Sequence, residues 1–260
     1  MKAIRELARY RELLYMLTWR DICVRYKQSI LGILWAVLMP TVIVLAGIMV
    51  RLALAMISGH EVSRHDLALV SVKSVPWAFF IASIRFGTTC LIGNANLVTK
   101  ISFPKLVLPI SSVCAQFFDF LIASVALIVV LLCLGTGVSV YILWMPVLIL
   151  LLVALTIGLT VFLAAAALFF RDVKYLVEVI LTFAIFVTPI FYDASIFKEW
   201  EPLLLINPVA PILESIADVM IDHTAPSVAW LAYSAVFAAL SLIGASAFFH
   251  RCEPKFAECI

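Results

Sequence analysis

Six long apolar runs, with the charged residues gathered into the short segments between them, constrain this chain more than any other feature of its sequence. They cover roughly residues 29–54, 75–97, 106–134, 143–169, 175–192 and 227–249. A helix needs about 20 apolar residues to cross roughly 30 Å of hydrocarbon, so each run is a candidate span. Because lipid offers the backbone no hydrogen-bond partners, each span must be a helix. Composition agrees: 65% of the residues are hydrophobic and 13% charged, against about half and a quarter in a soluble domain. The expected fold is therefore an all-α membrane protein with six transmembrane helices and multiple passes. A formal charge of +2 gives no reason to expect a nucleic-acid partner, whereas membrane lipids are partners by construction.

Orientation follows from where the cations sit. The first 28 residues hold Lys2, Arg5, Arg9, Arg11, Arg20, Arg25 and Lys27, and the segments after the second, fourth and sixth runs add Lys100, Lys105, Arg171, Lys174, Arg251 and Lys255. The alternate segments hold Arg51, Arg64, Lys73 and Lys198. The positive-inside rule then places both termini in the cytoplasm and requires an even number of spans. Residues 1–28 are expected to form a cytoplasmic interface helix, 29–250 the six-span domain and 251–260 a cytoplasmic tail. Over residues 2–17, Ile4, Leu7, Ala8 and Leu14 share one helical face opposite Lys2, Arg5, Arg9 and Glu12, with Arg11 interrupting the stripe. Such a helix is expected to lie along the membrane surface. Charges where a signal peptide needs its apolar region imply that the first span is retained.

Between the fifth and sixth runs, residues 193–222 are apolar in pieces but broken by Pro202, Pro208 and Pro211, and carry Asp193, Glu199, Glu201, Glu214, Asp218 and Asp222. No piece is long enough to span, so short re-entrant or interfacial helices on the outer face are expected. Pro40 should kink the first span, while Pro76 and Pro109 are expected near span starts, where proline costs little.

Two ionisable residues fall well inside the runs, Arg85 and Asp119. Such groups are expensive in lipid and need a partner, water or a function. Counted from the inner ends of their spans, both lie roughly 18–20 Å up, which predicts an intramembrane Arg85–Asp119 pair or, in a cavity, contact with a hydroxyl-rich or charged substrate. Aromatic residues crowd the same two spans: Trp77, Phe79, Phe80 and Phe86, then Phe117, Phe118 and Phe120. Flat apolar rings stack on sugar rings, so Trp77, Phe79, Phe80, Phe86, Phe117 and Phe118 are candidate glycan-lining residues. The six cysteines and four histidines are scattered without ligand spacing, so no metal site is expected. The sequence holds no phosphate loop, no nucleophile elbow and no zinc-protease motif, so no catalytic residue is expected and any energy must come from a partner or a gradient.

Five segments in order carry a likeness: VRYKQSILGILWAVLMP from Val24 to Pro40, NANLVTKISFPKLVLPISS from Asn94 to Ser112, FFRDVKYL from Phe169 to Leu176, INP from Ile206 to Pro208, and KFAE from Lys255 to Glu258. Together they resemble the membrane subunits of ABC type-2 polysaccharide exporters, most of all the O-antigen exporters, with capsule and teichoic-acid exporters as relatives. The resemblance implies a permease in a bacterial inner membrane that pairs with a second copy of itself and with two cytoplasmic P-loop ATPase subunits. ATP and Mg would sit on that partner, with no cofactor on this chain, and the cargo would be an undecaprenyl-linked polysaccharide. It implies ATPase coupling through Leu97, Val98, Thr99, Lys100, Ile101, Phe103, Pro104 and Lys105, with a second contact at Arg171, Asp172, Lys174 and Tyr175. It also assigns Arg5, Arg9, Arg11, Trp19 and Arg20 to the interface helix. Rival readings are a secondary transporter, which would usually show repeated topology and broken helices at mid-membrane, a type-2 exporter of drugs or lipids, and a membrane enzyme of lipid or glycan synthesis.

Overall fold

In the computed structural model the described residues are 9–27, 29–58 and 63–259, and among them there is no strand. The helices are α1 (Arg11–Tyr26), α2 (Leu34–Ser58), α3 (Arg64–Thr88), α4 (Cys90–Gly93), α5 (Ala95–Lys100), α6 (Val107–Leu134), α7 (Met145–Phe169), α8 (Val173–Val187), α9 (Glu201–Leu205), α10 (Ala210–Ala217), α11 (Val228–Cys252) and α12 (Phe256–Cys259). Five of them, α2, α3, α6, α7 and α11, are long and apolar enough to cross a membrane. The fifth expected span, 175–192, is the 15-residue helix α8. At 1.5 Å per residue it covers about 22 Å, short of the roughly 30 Å hydrocarbon layer.

Helix α3 is the axis of the bundle. Residues Ala68 to Trp77 are buried without interruption, and the helix packs against α2, α6, α7, α8 and α10. It also overturns an expectation, because it begins at Arg64 rather than near residue 75. Ser63 caps it: the Ser63 hydroxyl accepts from the Asp66 N–H, and the Asp66 carboxylate accepts from the Ser63 N–H at 3.0 Å. Such a capping box satisfies two otherwise orphaned donors. Of the charges that made this stretch read as a loop, Asp66 and Lys73 are paired within the fold. The correction extends to Pro76, which lies mid-helix in α3, and to the expected inner half of the second span, which bends after Thr88 into α4 and α5. Pro40 lies inside α2 and Pro109 in the first turn of α6, both as expected. Helix α6 ends on Gly135 with φ 75°, the left-handed closure that glycine adopts without steric cost.

Residues 194–222 form short helices, none long enough to cross. A 3-10 turn at Ala194–Trp200 leads to α9, then α10, then one π-helical turn at Asp218–Asp222. All of α10 except Glu214 is buried, between α3, α7 and α11. Helix α10 is therefore part of the core at one end of the bundle, whereas residues 195–200 ahead of it are exposed.

At the other end lie both described chain extremities. Leu17 of α1, Leu108 of α6, Phe249 of α11 and Phe256 of α12 share one apolar cluster. Helix α1 ends at Tyr26, nine residues past the amphipathic stretch read over residues 2–17 and within the expected 1–28, and its last turns are laid along α6. Arg25 reaches the ring of Phe86 near the end of α3. The helix expected to lie flat on the membrane surface is thus docked into the bundle, because its C-terminal polar groups have a partner there.

Candidate functional site

Asp119 sits on α6 twelve residues beyond Val107, about 18 Å along the helix axis. It pairs with Arg25, and it accepts a hydrogen bond from the Tyr26 hydroxyl. The Arg25 Nη1 also donates to Gln116 Oε1 at 3.2 Å, and its guanidinium lies 5.0 Å from the Phe86 ring centroid. Arg85, the partner expected for Asp119, pairs instead with Glu178 of α8 at 3.0 Å. Azimuth decides this and not depth. Val75, Ala78, Phe79, Ala82 and Phe86 form the face of α3 that lines the cavity beside Asp119, and at 3.6 residues per turn Arg85 points about 75° from the centre of that face.

These groups open onto a cavity of about 340 Å³, near the lower bound of the roughly 300–1,000 Å³ typical of small-ligand sites. The wall from α2 is Trp35, Ala36, Met39 and Pro40. A proline inside a helix removes one backbone bond and bends the helix away, and Pro40 lies on the cavity side. Of the candidate aromatics, Phe79 and Phe86 line this cavity, as does Phe120. Trp77 and Phe80 face a second, more apolar cavity of about 640 Å³ between α3, α7 and α8, which reaches Asn207. Phe117 packs edge-on against Phe79 at 5.9 Å, and Phe118 lines neither cavity. The expected aromatic set is therefore split between two faces of α3.

The opposite end of the bundle holds a second polar assembly that the sequence does not announce. Lys73 is fully buried, and its ammonium donates to Glu214 at 2.7 Å, to Asp193 at 3.2 Å and to the Tyr192 carbonyl at 3.3 Å. Arg51 of α2 reaches Asp66, Asp193 and the Phe191 carbonyl. Asp193 thus bridges both cations and fastens α2 and α3 to the segment that follows α8. Burial pushes the Glu214 carboxyl up, and Lys73 opposes that shift. Asp218 has no ion-pair partner among the described residues; burial, then Glu214 and Asp222, push its carboxyl up to about 6 against the opposing charge of Lys73.

The segments expected to couple to a motor cluster at the end that holds both extremities. In α5 and the bend after it, Val98 is buried while Thr99, Lys100 and Ile101 are exposed and Leu97 half-buried. The Lys105 backbone N–H donates to Glu253 at 2.7 Å, and its ammonium lies 4.4 Å from the Phe103 ring centroid; burial pulls that ammonium down. Pro104 is half-buried in the same bend. Phe256 of the KFAE segment packs edge-to-face on Phe249 and tilted against Phe169, which brings the turn after α7 alongside. There Arg171, Asp172 and Tyr175 are exposed and Lys174 lies over the Tyr175 ring. Arg9, Arg11 and Trp19 are exposed and Arg20 pairs with Asp21, whereas Arg5 lies outside the described residues.

Arg25 and Tyr26 are the functional candidates that sequence reasoning missed. Their signal was present: they belong to the VRYKQS segment that carried the family likeness, and a carboxylate deep in an apolar helix calls for a cation.

Comparison with known proteins agrees with this architecture. The curated relatives include O-antigen export system permease protein RfbA of Myxococcus xanthus, 29% identical over 263 residues and covering all of both chains. A protein of the same name from Klebsiella pneumoniae is 26% identical over 253 residues, 96% of this chain and 95% of the relative. A second from Klebsiella pneumoniae is 28% identical over 206 residues, 78% of each. Residues 12–221 match the model of the ABC-2 type transporter family, from the docked helix α1 through the short helices at the far end, and the chain belongs to that family of membrane transport proteins.

Proposed function

We propose that this chain is the permease subunit of an ATP-driven exporter that carries an undecaprenyl-linked, O-antigen-type polysaccharide across the bacterial inner membrane. It works as two copies joined to two cytoplasmic P-loop ATPase subunits, on which ATP and Mg are bound, and both of its termini lie in the cytoplasm. The observation that carries this reading is the end-to-end likeness to O-antigen export permeases, in a chain whose basic turns gather at one end. Bend 97–105 is suited to receive mechanical work: its exposed residues Thr99, Lys100 and Ile101 flank buried Val98, and Glu253 ties it to the C-terminal tail. A short, pinned bend passes a push to α6 with little loss to flexing. Arg171, Asp172, Lys174 and Tyr175 supply the second contact, and the exposed face of α1, with Arg9, Arg11 and Trp19, completes the surface that meets the ATPase.

The test is purification from its own host in mild detergent or nanodiscs. A stable complex with a P-loop ATPase whose hydrolysis responds to lipid-linked glycan is expected, together with loss of surface polysaccharide when the gene is deleted. Turnover of a glycan precursor by this chain alone would show it to be an enzyme instead.

A further inference from the structure

From the cavity beside Asp119 we infer a binding site for a single neutral sugar ring, built from Arg25, Gln116 and Asp119 with Phe79, Phe86 and Trp35 as its flat walls. The inference rests on the export reading for the identity of the cargo. Its own support is chemical. Gln116 is 3% exposed, and while its Oε1 accepts from Arg25, its Nε2 has no acceptor among the described residues. A buried amide donor without a partner is costly, and this one lies in the wall of the cavity. A ligand that brings an oxygen acceptor would satisfy it.

Charge selects the ligand class. Arg25 is the lining cation and Asp119 the lining anion, and they pair with each other, so the site is neutral. A phosphate or diphosphate would need cationic charge that Asp119 already offsets, and it would lie beside a carboxylate. A sugar ring needs the opposite arrangement: planar groups that donate and accept toward vicinal hydroxyls, and an aromatic face against its C–H surface. Arg25 and the Gln116 amide donate, Asp119 accepts, and Phe79 and Phe86 flank them. Trp35 is 41% exposed and forms part of the opening on the α2 side. A volume of about 340 Å³ leaves room for one ring with part of its neighbour rather than for a polymer. The site would therefore engage one unit of the glycan beside the lipid phase, near where α1 meets the bundle.

The experiment uses the full chain in nanodiscs and a diazirine-bearing farnesyl β-glucoside as photoprobe, with adducts mapped by mass spectrometry. Labelling is expected on the cavity segments around Trp35, Met39 and Phe86. It should be displaced by unlabelled farnesyl β-glucoside and not by farnesyl phosphate. Gln116→Leu should lower the labelling at least tenfold while shifting the thermal midpoint by only a few degrees, since the loss of an unsatisfied donor offsets the loss of the Arg25–Oε1 hydrogen bond. Phe86→Ala, at a half-exposed position, should lower it severalfold. Equal labelling of lipid-facing helices, displacement by farnesyl phosphate, or labelling unchanged in Gln116→Leu would overturn the assignment. The two readings fail separately: surface polysaccharide that survives deletion of the gene refutes export, whereas unchanged labelling and normal export in Gln116→Leu refute the site and leave export standing.

Discussion

Replacing Lys73 by methionine isolates the energetics of the far-end assembly. The side chain is fully buried, and three oxygens accept from its ammonium, those of Glu214, Asp193 and the Tyr192 carbonyl. Methionine fills much the same volume, so the change removes charge with little cavity. What remains is a Glu214 carboxylate with a side-chain exposure of 19% and no cation of its own, while Asp193 keeps Arg51 at 3.5 Å. Breaking a buried pair from one side costs about 3–5 kcal/mol. The residual exposure of Glu214 and the protection of Asp193 put this case at the lower limit, about 3 kcal/mol. At about 2–4 °C per kcal/mol for a chain of this size, the apparent midpoint should fall by about 6–12 °C. The assay is thermal unfolding in nanodiscs, followed by tryptophan fluorescence. Adding Glu214→Gln to Lys73→Met should recover at least half of the loss, because it removes the stranded charge. A single variant within about 2 °C of the parent, or a double variant whose loss is the sum of the two singles, would refute the claim that this lysine is buried for the sake of its carboxylates.

Other outcomes follow from the same physics. A Cβ at Gly158 would lie 2.9 Å from the Leu242 backbone nitrogen, where α7 crosses α11. Gly158→Val should therefore cost about 2 kcal/mol by overpacking, whereas Gly244→Ala, with open space around it, should be neutral or slightly stabilising in the same melt. Asp218 is pushed up to about 6 in the folded chain. Its protonated form thus favours the fold: the stability it contributes is full below its ordinary carboxylate value and is lost as pH rises through about 6. Protection factors of amides 210–222, with the intrinsic pH dependence of exchange divided out, should be higher at pH 5.5 than at pH 7.5, and Asp218→Asn should flatten that dependence. Charge reversal at Lys100 together with Arg171 should reduce recovery of the ATPase partner severalfold in pull-downs without moving the melting midpoint, since Lys100 and Arg171 are exposed; undiminished recovery would exclude those turns from the contact.

What the sequence settled by itself was whatever depends on local composition. Apolar runs place α2, α6, α7 and α11 within a few residues of their observed bounds, since a long run of Leu, Val, Ile and Ala has no other way to satisfy its backbone in lipid. The segments VRYKQS, FPKL, FFRD and KFAE pointed to the family for the same local reason. Charge pairing, by contrast, belongs to the tertiary structure alone. Hydropathy treats Arg64, Asp66 and Lys73 as solvated, and so it missed the first eleven residues of α3; only the fold supplies the Arg51 that neutralises Asp66 and the Asp193 and Glu214 that neutralise Lys73. Asp119 was legible as a buried carboxylate, but its partner was not. Depth can be counted along one helix, whereas azimuth about a helix and the approach of α1 from another part of the chain are set only when the helices pack.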